Sequence, residues 1–241
     1  MNKVLVLGDG LLGSEIVKQT NWNFVSRKRD YLDICNPTTY FNYLKNYDVI
    51  LNCTGYTNTY DEDKTNSLEV NYKAVVKLAD ACEYFGIKIV QISTDYIYAN
   101  SKHPSSEETP PSNAANWYSY YKMCADAYVQ LKKKHLVIRC SFKKTPFPHE
   151  RAIVTQIGNF DYVNIVSEQI IYLINNDAEG VYNIGTGIKN IYSLAIQTRP
   201  DVIPCDFKLH ETMPTDITLD LTKFNKFKEE HDFYHYSNPG V

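Results

Sequence analysis

The run Lys3-Val4-Leu5-Val6-Leu7 leads directly into Gly8-Asp9-Gly10-Leu11-Leu12-Gly13, and this junction constrains the fold more than any other stretch. A short run of valine and leucine is the form of a strand buried on both faces. Apolar residues then recur at Leu11, Leu12, Ile16 and Val17, a helical spacing. Strand, glycine turn and helix in that order give the Gly-x-Gly-x-x-Gly motif its dinucleotide-binding context. The glycines permit a tight turn, close approach of a pyrophosphate and close packing of helix on strand. The helix N-terminus offers free N–H groups and a positive dipole end. Gly8, Gly10, Leu11, Leu12 and Gly13 are therefore candidate cofactor residues. A purely structural glycine turn is the alternative.

The next stretches keep a strand–helix rhythm. Asn23-Phe24-Val25 reads as the second strand, whose end selects the cofactor. It is followed by Ser26-Arg27-Lys28-Arg29, with no acid until Asp30. A hydroxyl and three cations suit a 2′-phosphate, which favours NADPH; NADH and a merely solvated basic loop stay open. Asn36-Pro37 has the form of a cap and first helical residue, opening a short helix through Leu44. Val49 to Cys53 forms a third buried strand and ends at Thr54-Gly55. Lys64 to Phe85 has the pattern of a long helix stopped by Gly86. Lys88 to Ile92 is a fourth strand, delivering Ser93-Thr94-Asp95-Tyr96, and Leu136 to Arg139 is another. Alternating strands and helices argue for an α/β fold, a Rossmann-type doubly wound parallel sheet. After Arg139 the rhythm loosens: Asp161 to Leu173 is helical, Gly180 to Gly185 a short strand and turn, and Ser193 is placed to cap a small helix. Residues 1–142 are thus expected to form the dinucleotide-binding domain. Residues 143–241 are expected to form a small C-terminal substrate lobe, interleaved with it.

Tyr118 and Lys122 stand four residues apart, on one face of a helix. A phenol with a pKa of about 10 is a poor acid or base at neutral pH. An adjacent ammonium would lower that value and make the tyrosine an acid/base group. Among 20 tyrosines and 25 Lys+Arg such a pair can arise by chance, so a solvated helix face is the competing reading.

Taken together, these pieces resemble the extended short-chain dehydrogenase/reductase family. They follow in its order: Gly8 to Gly13; Asp33-Ile34; Asp48 to Thr57; Val70-Asn71; Ser93 to Tyr98; Tyr118 to Lys122; Arg139 to Phe142; and Met213 to Asp220. The resemblance is greatest to the branch that reduces 4-keto nucleotide sugars. It implies a 4-keto reductase of a nucleotide-linked 4-keto-6-deoxyhexose, with Thr94, Tyr118 and Lys122 catalytic. Tyr118 would be the proton donor, Thr94 would bond the carbonyl, and Lys122 would bind the nicotinamide ribose and depress the Tyr118 pKa. Ser26, Arg27, Lys28, Asp33, Ile34, Cys53, Thr54 and Gly55 would join the cofactor set. Tyr56, Thr94, Asp95, Tyr96, Tyr118 and Phe142 would touch substrate, with Tyr98 another aromatic candidate. Related epimerase/reductases have a cysteine where this chain has Tyr96, so reduction without 3,5-epimerisation is expected. Met213 stands where the family often has arginine, and the stretch after Phe142 is short for the family. Epimerases and a non-catalytic regulatory subunit share the resemblance and remain the alternatives.

The net charge of -3 gives no reason to expect nucleic acid or an anionic membrane as partner. No apolar run approaches the roughly 20 residues that span a bilayer, and the N-terminus lacks the form of a signal peptide. Six dispersed cysteines fit reduced, packed thiols. The pair His231 and His235 has the His-x-x-x-His spacing but lacks the glutamate of a zinc motif and a nearby cysteine, so no metal is expected. The expectation is a cytoplasmic enzyme with a small-molecule nucleotide-sugar substrate, for which a homodimer stays open.

Overall fold

The structure, a computed structural model, describes residues 2–99, 101–111, 114–206 and 211–237, leaving aside the side chains of Arg27, Arg29 and residues 233–237. The chain runs β1 (Val4–Leu7), α1 (Leu11–Gln19), β2 (Asn23–Val25), α2 (Arg27–Asp30), α3 (Phe41–Leu44), β3 (Val49–Asn52), α4 (Thr65–Ser67) and α5 (Ala74–Phe85). It continues through β4 (Lys88–Ile92), α6 (Trp117–Val129) and β5 (His135–Arg139). Five strands and a sixth from far down the chain form one parallel sheet. That sixth strand comes after β6 (Phe142–Lys143), β7 (Arg151–Ile153), β8 (Ile157–Gly158), β9 (Asp161–Tyr162) and α7 (Val163–Asn175); it is β10 (Gly180–Asn183). The order is β10-β5-β4-β3-β1-β2. It reverses between β1 and β3, the point where a doubly wound sheet opens a crevice beyond its strand ends.

Alternation along the strands fills both faces. Val4 and Val6 point with Leu51, Val90 and Ile138 into a core closed by Ile16 of α1 and by Val166 and Ile170 of α7. Leu5 and Leu7 point the other way with Ile50, Ile89 and Val137, against Leu78 of α5 and Ala125 of α6. Strands buried on both faces need this continuous apolar run, which is why polar residues gather only at their ends. Thus α7 and β10, although they lie beyond Phe142, belong to the central sheet. The rest of the last third, with β11 (Lys189–Asn190), α8 (Ile191–Ala195), β12 (Ile203–Cys205) and β13 (Asp216–Ile217), encloses a separate core around Phe160, Leu194 and Ile217. The final helix α9 (Thr222–Ser237) returns to the sheet through Phe224.

Several elements differ in detail from the sequence reading. The long helix expected over Lys64 to Phe85 contains a π-helical turn at Leu68–Lys73 between α4 and α5. That turn carries the buried Asn71, whose amide donates to the Tyr56 carbonyl at 2.8 Å and whose carbonyl oxygen accepts from Tyr56 N at 2.9 Å. The irregular turn therefore fastens the loop that follows β3. Asn36 caps a single 3₁₀ turn, Pro37–Thr39, before α3 begins. Asn190, not Ser193, caps α8, accepting from Ser193 N at 2.7 Å. Asp161 and Tyr162 pair as a strand, so α7 starts only at Val163.

One buried ion pair ties α6 to the sheet. Arg139, at the end of β5, meets Asp126 through two bonds of 2.9 Å, and both residues are 4% exposed or less. A guanidinium and a carboxylate match as a bidentate pair, but removing one partner strands the other charge in the interior. Asp126→Ala is therefore expected to lower stability by about 3–5 kcal/mol, read as a fall in the urea midpoint. A change below about 1 kcal/mol would mean that the pair is not holding α6.

Candidate active site

The ends of the parallel strands and two helix starts enclose a cleft of about 500 Å³. On one side lies the turn into α1. Gly8 has φ +103°, a conformation that favours glycine, and a Cβ on Gly13 would stand 2.0 Å from the Gly8 carbonyl oxygen. Gly10 is different: nothing lies within 4 Å of its would-be Cβ, and it lines the cleft with Leu11 and Leu12 at the α1 N-terminus. Open space, a helix start and a bare backbone fit the pyrophosphate of a dinucleotide. Cys53, Thr54 and Gly55 continue this wall from the end of β3. Buried Asn52 steadies them, its carbonyl oxygen accepting from Thr54 N at 3.1 Å and Thr54 Oγ1 at 2.6 Å.

The opposite wall comes from β4, α6 and the segment after β5. Asn116 opens α6 with a reciprocal cap: its side chain accepts from Ser119 N at 2.9 Å while Ser119 Oγ accepts from Asn116 N at 3.1 Å. This sets Tyr118 in the first turn and Lys122 one turn later, both lining the cleft. Tyr118 packs edge-on to Tyr96, ring centroids 6.5 Å apart, and shares the cleft wall with Thr94. Tyr96 in turn accepts from Gln156 Nε2 at 3.0 Å, and Gln156 also donates to the Pro214 carbonyl at 2.9 Å. The small lobe is thereby joined to the cleft.

Thr94 is already heavily engaged. Its hydroxyl donates to Asp95 Oδ1 at 3.2 Å and accepts from Tyr96 N at 3.3 Å. To donate to a substrate carbonyl, as the resemblance implies, it would have to give up one of these partners. Asp95 itself is 1% exposed and stands behind the cleft wall, binding Thr94 and accepting from Ser141 Oγ at 2.7 Å. Burial pushes its carboxyl above the usual range, against the hydrogen bond from Ser141 and the charge of Lys143.

The electrostatics of the tyrosine–lysine pair differ from the sequence expectation. Burial pushes the Tyr118 phenol upward, opposed by the nearby Thr94 hydroxyl and reinforced by Asp95 and Cys140. Lys122 is 5% exposed and gives its ammonium to the Ile92 carbonyl. Burial lowers its pKa to about 8. Desolvation is the largest cause of both shifts.

The other expected residues are distributed as follows. Phe142 lines the cleft, whereas Tyr56 does not; its hydroxyl goes to Asp61. Asp33 is engaged in a turn, accepting from Cys35 N at 3.0 Å, and Ile34 is part of the core. Ser26 is buried with its N–H bound to Asp30 at 2.9 Å, and Lys28 is exposed. The Arg27 side chain lies outside the described residues, as does that of His235. Tyr98 is fully buried and bonds Arg139 and the Ser106 carbonyl, so it is structural. Met213 is 3% exposed within the small core. Among the described residues no cluster of metal ligands occurs, and no helix is long and apolar enough to cross a membrane. Sequence reading missed Thr57, Tyr60, Ser141 and Lys143, all on the cleft wall. The rule that function sits at strand ends, applied to β5 as it was to β3 and β4, would have reached Ser141 and Lys143.

The Lys122 amine has a stability signature. Below about pH 8 it is charged folded and unfolded, and the burial penalty is full. Above its unfolded value of about 10.4 it is neutral in both states. In between, the unfolded chain holds more protons, so this group adds stability as pH rises. Buried thiols and phenols also titrate there, so the comparison needed is with Lys122→Met. The urea midpoint of the unsubstituted protein should gain on that of Lys122→Met between pH 8 and 10; a constant difference would mean that the amine is not desolvated.

Comparison with known proteins places this geometry. The profile of the RmlD substrate binding domain matches residues 1–172. A dTDP-4-dehydrorhamnose reductase of Burkholderia thailandensis is 30% identical over 134 residues, 53% of this chain and 45% of that relative, so the match spans less than half of the relative's length. Among solved structures, the dTDP-4-dehydrorhamnose reductase of Bacillus anthracis in complex with NADP superposes with a TM-score of 0.81 at 20% identity, covering 94% of this chain and 93% of that one. The UDP-glucose 4-epimerase of Thermus thermophilus in complex with NAD gives 0.77 at 17% identity, covering 93% and 92%. Both share the doubly wound fold.

Proposed function

The chain belongs to the RmlD substrate binding domain family, and from that premise we propose that it reduces the 4-keto group of a nucleotide-linked 4-keto-6-deoxyhexose with NADPH. The observation that carries this reading is the meeting of Tyr118, Thr94 and Lys122 in the same cleft as the open Gly10 turn. Gly10 to Leu12 and Thr54-Gly55 would hold the dinucleotide, which would supply hydride when bound. The protein's residues do the rest. Tyr118 gives its proton to the C4 oxygen as negative charge develops there. Its raised pKa keeps the phenol protonated at neutral pH, the form a reductase needs at the start of each turnover. Lys122 lines the cleft one turn after Tyr118, placed to bind the nicotinamide ribose. Phe142 and Tyr96 offer the sugar ring apolar faces.

The preference for NADPH rests on Ser26, Arg27 and Lys28 and on the NADP complex of a relative of the same fold. With Arg27→Ala the ratio of NADPH to NADH affinity, measured by fluorescence titration, should fall at least about tenfold, the worth of one charge-assisted bond. An unchanged ratio would remove the 2′-phosphate argument.

Tyr118→Phe should lower kcat by about 10²–10⁴-fold while leaving the Kd for NADPH within a few-fold. Near-normal turnover would show that the proton comes from elsewhere. A product that keeps its ketone but is inverted at another carbon would assign the chain to the epimerases instead.

A further inference from the structure

Lysines that leave the surface of this protein take a partner with them. Lys88 bonds Asp177 at 2.8 Å, Lys132 bonds Asp80 at 2.6 Å and Lys189 bonds Asp161 at 2.8 Å, while Lys122 gives its ammonium to the Ile92 carbonyl. Lys143 is the exception. It is half-buried in the cleft wall, yet among the described residues its ammonium makes no hydrogen bond and no ion pair. Its neighbours are the Phe160 ring, with 5.6 Å from ammonium to centroid, and, beyond ion-pair reach, the Asp95 carboxyl behind the wall. Burial holds its pKa below that of an ordinary lysine, against the attraction of Asp95. An ammonium has three N–H donors and loses hydration on burial, so a desolvated one without partners offers a strong site to an anion.

The place of Lys143 says which anion. It stands in β6, directly after Ser141 and Phe142, and β6 pairs with β9 so that Lys143 lies opposite Tyr162 at the seam with the small core. Among the described residues no carboxylate lines the cleft, whose only other charged side chain is Lys122. The glycine turn that would take the cofactor pyrophosphate follows β1, three steps along the sheet from β5. At about 4.8 Å per step that is about 14 Å away, so the phosphates of the dinucleotide do not serve Lys143. The reduced nicotinamide ring, the part that would meet Tyr118, carries no negative charge. The anion must come with the substrate. In a nucleotide-linked 4-keto-6-deoxyhexose the sugar ring has no ionised group, and the diphosphate on C1 supplies the negative charge.

We propose that Lys143 is the phosphate anchor of the substrate, pairing with the diphosphate that joins sugar to nucleoside. The inference rests on the reading of the substrate as a nucleotide sugar. C1 and C4 stand across the hexose ring from one another. Holding the phosphate at the seam therefore turns the ketone toward Tyr118, with Phe142, the residue before the anchor, against the ring. Lys143 is thus a specificity residue: it selects a sugar carried on a diphosphate over a free sugar, and a diphosphate over a bare nucleoside.

Calorimetric titration of the NADPH complex tests this without turnover, and filling the cofactor site first keeps other diphosphates out of the glycine turn. The probes are dTDP, UDP and GDP, each beside its nucleoside. Whichever diphosphate binds the unsubstituted protein should bind Lys143→Met at least about tenfold more weakly, the worth of one charge-assisted bond. The nucleoside, bound weakly or not at all, should not distinguish the two proteins, and Lys143→Arg should recover most of the diphosphate affinity. NADPH should bind Lys143→Met within about twofold of its normal Kd, which also shows that the variant is folded; Lys143→Gln takes its place if it is not. An unchanged diphosphate Kd, or equal weakening of diphosphate and nucleoside, would overturn the anchor. So would failure of all three diphosphates to bind the unsubstituted protein. The reductase reading fails separately, if the unsubstituted enzyme oxidises no NADPH with any 4-keto-6-deoxy nucleotide sugar; a diphosphate loss confined to Lys143→Met would still support the anchor.

Discussion

The pairing of Asp126 with Arg139 is the interaction on which the cleft depends. It joins the middle of α6 to the end of β5 through a bidentate contact in the interior. One turn earlier Lys122 gives its ammonium to the carbonyl at the end of β4. These two anchors fix the helix in rotation and in height above the sheet. Tyr118, in the first turn, has no freedom left except that of its own side chain. Its distance from Thr94 is therefore a consequence of buried charge pairing two turns away. Such a clamp is costly to desolvate and stronger as a device for geometry than as a source of stability.

The same low-dielectric setting decides the chemistry. A lysine four residues after a tyrosine suggests a lowered phenol pKa if the pair stands in water. In the folded protein both groups are desolvated, and each shifts toward its neutral form. A neutral phenol is the right starting state for an acid, and an amine of pKa about 8 still carries its charge at neutral pH. The spacing of Tyr118 and Lys122 was readable in the sequence; the direction of each group's shift was not, because it depends on burial supplied by residues far along the chain.

Other parts divide along the same line. The glycine turn and the strand ends at Thr54 and Thr94 were legible because each is local chemistry: backbone freedom, an apolar run that stops. The role of Gly180–Asn183 as sixth strand was not, since it is fixed by pairing with β5 some 40 residues away in sequence. The π turn around Asn71 likewise serves a loop before it and has no helical signature of its own. Asp95 was expected from the sequence to touch substrate, yet its place behind the wall shows only in the hydrogen bonds to Thr94 and Ser141.

The central claim is that the cleft delivers hydride to a sugar carbonyl and a proton from Tyr118 to its oxygen. The most direct measurement uses NADPH deuterated at nicotinamide C4 with a 4-keto-6-deoxy nucleotide sugar, followed by NMR of the product. The account predicts one deuterium at C4 of the sugar, a new hydroxyl there, and no inversion at the neighbouring carbons. Deuterium absent from the product, or a product that still carries the ketone, would contradict it.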